Sequence, residues 1–357
     1  MTAQINPVSE DKLNAFLMQV MTDLGACSAG FMTHLGHKLG LYKAMAGAGH
    51  LTSGQLAERA NCNERYVREW LNSQATGGYV EYRSDDQTYY LPPEQALVLA
   101  DESGPCFFPP ALEVSASMWF DEEKTFDAFR SGDGVPWGDH HGRLFCGVAA
   151  FFRSGYAANL VSSWIPALDG VKQKLEAGAR VADIGCGHGH STIIMAQAFP
   201  ESRFYGFDYH PESIEAARQH AVEAGIADRV EFSVATAKSI PDNQFDLVCF
   251  FDCLHDLGDP VGAAKRAHEV MADDGSVMLV EPFACDAVED NLNLVGRIYY
   301  SASTALCCAH SLSEEVGLAL GAQAGEKRLG EVFHNAGFGQ FRRATETPFN
   351  LILEARK

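Results

Sequence analysis

Positive charge is scarce in this sequence: 27 Lys and Arg stand against 47 Asp and Glu, a formal net charge of −20 over 357 residues. That deficit argues against a body built to lie along phosphate backbones, which needs an excess of cations to release counterions. It suits a neutral or cationic ligand. No C-x-x-C pair occurs among the ten cysteines, and adjacent Cys307 and Cys308 are poorly placed for an ordinary structural disulfide. Reduced, mostly buried thiols in a cytoplasmic protein are expected. The opening MTAQINPVSEDKLNAF lacks a basic stretch followed by an apolar core, so no signal peptide is read. The apolar runs look too short and too interrupted to span a bilayer. Internal repeats and low-complexity tails are absent as well.

What is present is ordinary for a globular chain, 46% hydrophobic and 21% charged, with length for two or three units. Apolar residues recur at helical spacing from Leu13 to Leu41. In HLTSGQLAERANCNERYVREWLNSQATGGYVEY, Thr52 or Ser53 caps a short helix at 54–59, and residues 61–63 supply a turn. A second helix runs from 64 to about 75, ended by Gly77 and Gly78. YVEYRSDDQTYYL then reads as a two-stranded wing folded at 84–87. Residues 1–105 are therefore read as a mainly helical winged-helix domain. Its second helix balances Glu64 and Glu69 against Arg65 and Arg68, which favours dimerisation and pocket walling over operator binding.

Residues 106–175 read as a linker, rich in Pro, Gly and Trp at first and helical later. After Arg180, apolar strands alternate with helices, so residues 176–357 are read as an α/β domain with a parallel sheet covered on both faces. A helical insert occupies about 287–322. The last two extended stretches, joined at Pro348, read as an antiparallel hairpin added to that sheet.

The motif VADIGCGHGH, residues 181–190, places Gly185, Gly187 and Gly189 at the first strand–helix turn. Such a turn lets a ligand approach the backbone, with helix N–H groups facing it. By itself it could serve NAD, FAD or several other ligands. The spacing, however, is Gly-x-Gly-x-Gly, and an acid, Asp183, stands before it where a pyrophosphate would be repelled. An acid fits a ligand that carries an ammonium and a sulfonium. A second acid, Asp208, ends the second strand, where a carboxylate accepts ribose hydroxyls. The ligand reads as S-adenosylmethionine.

Residues from about 179 to 282 resemble the core of class I S-adenosylmethionine-dependent methyltransferases. The resemblance implies a Rossmann-like seven-stranded sheet closed by the C-terminal antiparallel hairpin. It implies a cofactor set of Asp183, Gly185, Cys186, Gly187, Gly189, Asp208, Tyr209, Thr236, Ala237, Phe251 and Asp252. The glycines would line the methionine part, Asp208 would hold the ribose and Tyr209 would flank the adenine. Thr236 departs from the pattern, since many members carry an acid there.

With its winged-helix front the chain also resembles dimeric small-molecule O-methyltransferases of the plant and hydroxyindole kind, and bacterial winged-helix methyltransferases labelled as transcriptional regulators. CLHDLGDP, residues 253–260, looks like the first group's His-Asp-Trp-x-Asp stretch, with Leu257 in place of tryptophan. The family's catalytic histidine falls on His255. The carboxylate that orients it falls on Glu281, and a third would fall near Glu326. A homodimer and a small hydrophobic or aromatic acceptor are implied. Trp137, His140 and His141 in PWGDHHGRLF, with Arg297 and Tyr299 in the insert, are candidate substrate contacts; no metal is assigned. O-methylation is expected. Methylation at N, S or C, or a regulator whose core senses the cofactor, are the alternatives.

Overall fold

A computed structural model describes residues 8–357. The chain forms two compact units, Met1–Glu113 and Val114–Lys357. In the first, helix α1 (Glu10–Lys38) is followed by α2 (Leu41–Met45), α3 (Ser53–Arg59) and α4 (Glu64–Thr76). Thr52 caps α3 in a reciprocal capping box with Gln55, and the Asn63 side chain caps α4, so two helix starts are fixed by short polar side chains. Strands β1 (Glu81–Arg83) and β2 (Thr88–Tyr90) pair antiparallel as the wing. Leu41, Tyr42, Leu56, Val67, Trp70 and Leu71 fill the core of this unit.

Most of α1 carries its apolar side chains outward: Phe16, Leu17, Met18, Met21 and Leu24 are each about half exposed or more. Contrary to the reading that no segment reaches membrane length, two helices among the described residues do so by length and composition, Glu10–Lys38 and Arg143–Ala167. In the second one, 28% of the apolar window is buried inside the protein.

The second unit is built on seven strands: β3 (Arg180–Ile184), β4 (Arg203–Asp208), β5 (Val230–Val234), β6 (Phe245–Phe251), β7 (Met271–Pro282), β8 (Gln340–Glu346) and β9 (Asn350–Arg356). Their order is β5-β4-β3-β6-β7-β9-β8, with β3 to β7 parallel and β9 inserted antiparallel between β7 and β8. This is the Rossmann-like sheet with the expected terminal hairpin. One face is covered by a cluster that includes Leu160, Trp164, Ile165 and Leu175, residues from the stretch read as a linker. The other is covered by Ala263, Ala267, Leu329 and Phe333. The chain runs outward from β3 in one direction through β4 and from β6 in the other. The carboxyl ends of β3 and β6 therefore flank a topological switch point, where open parallel sheets receive ligands.

Candidate active site

At the end of β3 the glycine turn is tied down by its neighbour strand. The N–H groups of Gly185 and Cys186 both donate to the Phe207 carbonyl, at 2.8 and 3.1 Å. Gly187 N–H donates to Asp208 Oδ2 at 2.9 Å, and His210 N–H to Asp208 Oδ1 at 2.9 Å. Gly187 has φ +50°, and a side chain there would meet nothing within 4 Å, so the space above it is open to a ligand. Gly189 (φ +76°) leads into the helix His190–Ala198; a Cβ there would stand 2.6 Å from the Phe232 ring. Contact and backbone together demand glycine at Gly189, while at Gly187 only the left-handed backbone favours it.

Asp183 is fully buried beneath this turn. Its Oδ2 accepts from the hydroxyls of Ser191 and Thr192, at 2.6 Å each, while the buried Oδ1 has no hydrogen-bond partner. Burial pushes its carboxyl up to about 6, against the pull of the two hydroxyls. Burial also raises Asp208. A buried carboxylate oxygen without a donor is costly on its own and suits a ligand that brings one. The turn, the orphan oxygen and Asp208 fit an adenosyl amino acid.

Rings close over the residues after β4. Tyr209 stacks on His310 with centroids 5.9 Å apart, and His210 on Phe145 at 4.6 Å. Trp137 N–H donates to His310 Nδ1 at 3.1 Å, which places Trp137 beside this group. His140 stays against Trp137, ring centroids 6.0 Å apart, whereas the His141 ring turns away from it. The His140 ring pairs with Asp121 Oδ2 at 3.1 Å, the same oxygen accepts the His141 amide at 2.8 Å, and the His141 ring stacks on Phe120. Exposed Thr236 donates its hydroxyl to Ser239 Oγ at 2.9 Å. Ala237 packs against the core on one face of the sheet. Phe251 is buried against Tyr156 on the other. Arg297 is exposed on the helix Leu294–Ala302, while half-buried Tyr299 donates its hydroxyl to the Phe349 carbonyl at 2.9 Å.

Beyond β6 the backbone turns sharply at Asp252, which sits at φ +50°, rare for a residue with a side chain. Tyr156 OH and Asn350 Nδ2 donate to its two oxygens, at 3.0 and 2.9 Å. Burial, and after it the nearby Glu281, lift its carboxyl to about 8. The next turn, Leu254–Asp256, carries His255 inward. Glu281, near the end of β7, accepts from Leu254 N–H at 3.1 Å and from the His255 ring at Nδ1. A carboxylate only accepts, so Nδ1 carries a proton and Nε2 is the nitrogen that gains or loses the second one. Asp256 Oδ1 stands 3.2 Å from Nε2. Burial presses the imidazole pKa down, but Asp256 and Glu281 outweigh it and raise it well above the ordinary value. A cation bound alongside would lower it again. Glu326 is not part of this group; it pairs with Arg343.

A family of Rv2258c-like winged HTH domains matches residues 27–101, and a methyltransferase domain family matches residues 175–337. The carboxyl-terminal unit carries a methyltransferase domain. Methyltransferases of this kind use S-adenosylmethionine. The chain is 31% identical over 131 residues to 27-O-demethylrifamycin SV methyltransferase of Amycolatopsis mediterranei, covering 34% of this chain and 48% of that protein. The matched part spans about half the length, or less, of the first curated relatives. Human N-acetylserotonin methyltransferase, solved in complex with S-adenosylmethionine, superposes with a TM-score of 0.70 at 18% identity, covering 100% of this chain and 99% of that one. The mitomycin 7-O-methyltransferase MmcR does so at 0.69 and 18%, covering 98% and 100%. At that identity the likeness shows the fold.

Several residues of the candidate site had no local signal. Tyr156 and Asn350 reach Asp252 from 96 and 98 residues away, and Cys307 reaches His255 from the helical insert. His310 carries only the helical spacing of that insert.

Proposed function

We propose that this chain transfers the methyl group of S-adenosylmethionine to a hydroxyl oxygen of a small hydrophobic or aromatic molecule, with His255 as general base. The observation that carries the reading is the Glu281–His255 pair at the carboxyl ends of neighbouring strands, on the same sheet edge as the glycine turn. When bound, the donor supplies an electrophilic methyl carbon on a sulfonium. Asp183 Oδ1 would hold its ammonium, Asp208 its ribose hydroxyls, and Tyr209 its adenine. His255 Nε2 takes the acceptor's hydroxyl proton as the new C–O bond forms and the C–S bond breaks. Glu281 and Asp256 stabilise the imidazolium so formed. A positioned base contributes roughly 10²–10⁴-fold, with the remainder drawn from holding the two reactants in line away from water. An apolar acceptor is supported by Trp137 and Tyr299, which pack in one apolar cluster with Leu306 and Cys307, next to His255.

The test is release of S-adenosylhomocysteine against a panel of phenols, amines and thiols, with native chain and His255→Ala. The reading requires a phenol to turn over and the variant to lose that activity. Unaltered turnover in the variant removes the base and favours methylation of nitrogen, sulfur or carbon.

The same reading makes the chain a homodimer joined through its amino-terminal unit, supported by the apolar side chains that α1 leaves exposed. Ten free thiols support a reducing, cytoplasmic setting. The winged-helix match also favours a second reading, a DNA-binding regulator whose core senses the cofactor. Against it, Arg65 and Arg68 on α4 are engaged by Glu69 and Glu64, at 2.5 and 2.8 Å. A gel-shift titration against genomic fragments decides between the two: tight, salt-sensitive specific binding would favour the regulator.

A further inference from the structure

The described residues bring together one buried set of nitrogen, oxygen and sulfur donors: His255, Asp256 and Cys307, with ligand atoms all within 4.8 Å of one another. His255 and Asp256 are adjacent in the sequence, but Cys307 comes from the helical insert. His255 Nε2 lies 3.2 Å from Asp256 Oδ1. Two donors on a tetrahedral zinc, each at about 2.0–2.2 Å from the ion, stand about 3.3 Å apart. The pair is not aligned as a hydrogen bond, and buried Asp256 Oδ1 has no hydrogen-bond partner. The Cys307 thiol stands close to both atoms.

The surroundings are those of a built site. Glu281 holds His255 by Nδ1 and leaves Nε2 as the donor, the carboxylate–histidine arrangement that orients metal-binding imidazoles. Cys307 ends Ser303–Cys307, a stretch of π-helical pitch, and such stretches recur at functional sites. Asp252, Asp256 and Glu281 gather around one histidine.

We propose that His255 Nε2, Asp256 Oδ1 and Cys307 Sγ form a site for a borderline divalent cation, Zn²⁺ by its donor set, which competes with general-base chemistry. A thiolate together with imidazole selects against Mg²⁺ and Ca²⁺, which take oxygen donors. Three protein donors leave a fourth position for water. Coordination expels the Cys307 thiol proton to solvent and occupies the lone pair that the proposed base requires. The competition rests on the base reading; the site itself does not.

The experiment uses the full chain with the exposed Cys27, Cys106 and Cys146 changed to serine, titrated with Co²⁺ without cofactor. One equivalent is expected to bind, with a thiolate-to-cobalt charge-transfer band in the near ultraviolet that Zn²⁺ abolishes. Cys307→Ser should lose the band. Asp256→Asn and Glu281→Gln should each weaken binding, the latter by about 10–100-fold as for other residues that orient a ligand. No uptake, or a band unchanged in Cys307→Ser, would overturn the site. Should that variant not fold, unchanged affinity in folded Asp256→Asn does the same. Zn²⁺ is expected to stop methyl transfer reversibly. Binding through Cys307 without inhibition would overturn the competition and leave the site standing.

Discussion

Glu281 grips His255 and its backbone at once: one carboxylate oxygen accepts the ring proton on Nδ1, the other the amide of Leu254 at 3.1 Å. Two anchors on one carboxylate fix the proton on Nδ1 and the ring plane, so Nε2 is the nitrogen left to exchange a proton. His255→Ala should lower kcat by roughly 10²–10⁴-fold while the dissociation constant for S-adenosylhomocysteine changes little. Glu281→Gln keeps an acceptor for Nδ1–H but removes the charge that stabilises the imidazolium, so kcat should fall by less than in the alanine variant. Steady-state kinetics with separate calorimetry checks both. An equal loss of cofactor affinity would show that the histidine supports folding rather than chemistry.

Gly187 and Gly189 separate two roles of the same turn. Gly189→Val meets the Phe232 ring and a left-handed backbone, so it should destabilise the unit by about 2–4 kcal/mol in urea melts. At Gly187 an added Cβ meets nothing within 4 Å, so the side chain of Gly187→Leu starts in open space. It should cost only about 1–2 kcal/mol of stability, yet block the cofactor. Cofactor affinity that survives in a folded Gly187→Leu would move the site elsewhere.

Asp183 gives a pH signature. Its carboxyl is held at about 6, above the ordinary 3.8, so the folded chain binds more protons between those values. Stability from this group is fully present below 3.8 and lost as pH rises through about 6. Asp183→Asn should show a flatter stability profile across that interval, by roughly 3 kcal/mol in total. Affinity for the donor should move the opposite way in the native chain, strengthening as pH rises through about 6 and Oδ1 becomes free to receive an ammonium. Parallel pH profiles for the two proteins, in urea melts and calorimetry, would remove Asp183 from both roles.

The outward face of α1 is testable by mass. Light scattering should find two chains in the native protein. Leu17→Glu combined with Leu24→Glu should yield one, with an unchanged circular dichroism spectrum. Retention of the native mass in that variant would place the contact on another surface, and flotation of the native chain with lipid vesicles would give α1 to a membrane instead.

The sheet was readable because its signals are local. Apolar strands alternate with helices, Thr52 and Asn63 cap helices where short polar residues should, and Pro348 marks the turn between the last two strands. The glycine turn, Asp183 and Asp208 were readable for the same reason, since a strand–turn–helix unit carries its own geometry. His255 and Glu281 were reached through family resemblance, and packing brings them together across neighbouring strands. What escaped depends on long-range packing. Asp121, a carboxylate that no spacing rule connects to either histidine, accepts from the His141 amide and pairs with the His140 ring. Glu326 was expected near His255, but Arg343 on β8 takes it. Cys307 has no periodic signal that would aim it at His255, and the π pitch that ends on it is a feature of backbone winding.

Calorimetric titration of the purified chain with S-adenosylhomocysteine tests the central claim most directly. One site per chain is predicted, with the heat lost in Gly187→Leu and strongly reduced in Asp208→Ala. Silence with that ligand and with S-adenosylmethionine, alongside clear binding of a nicotinamide or flavin dinucleotide, would contradict the account.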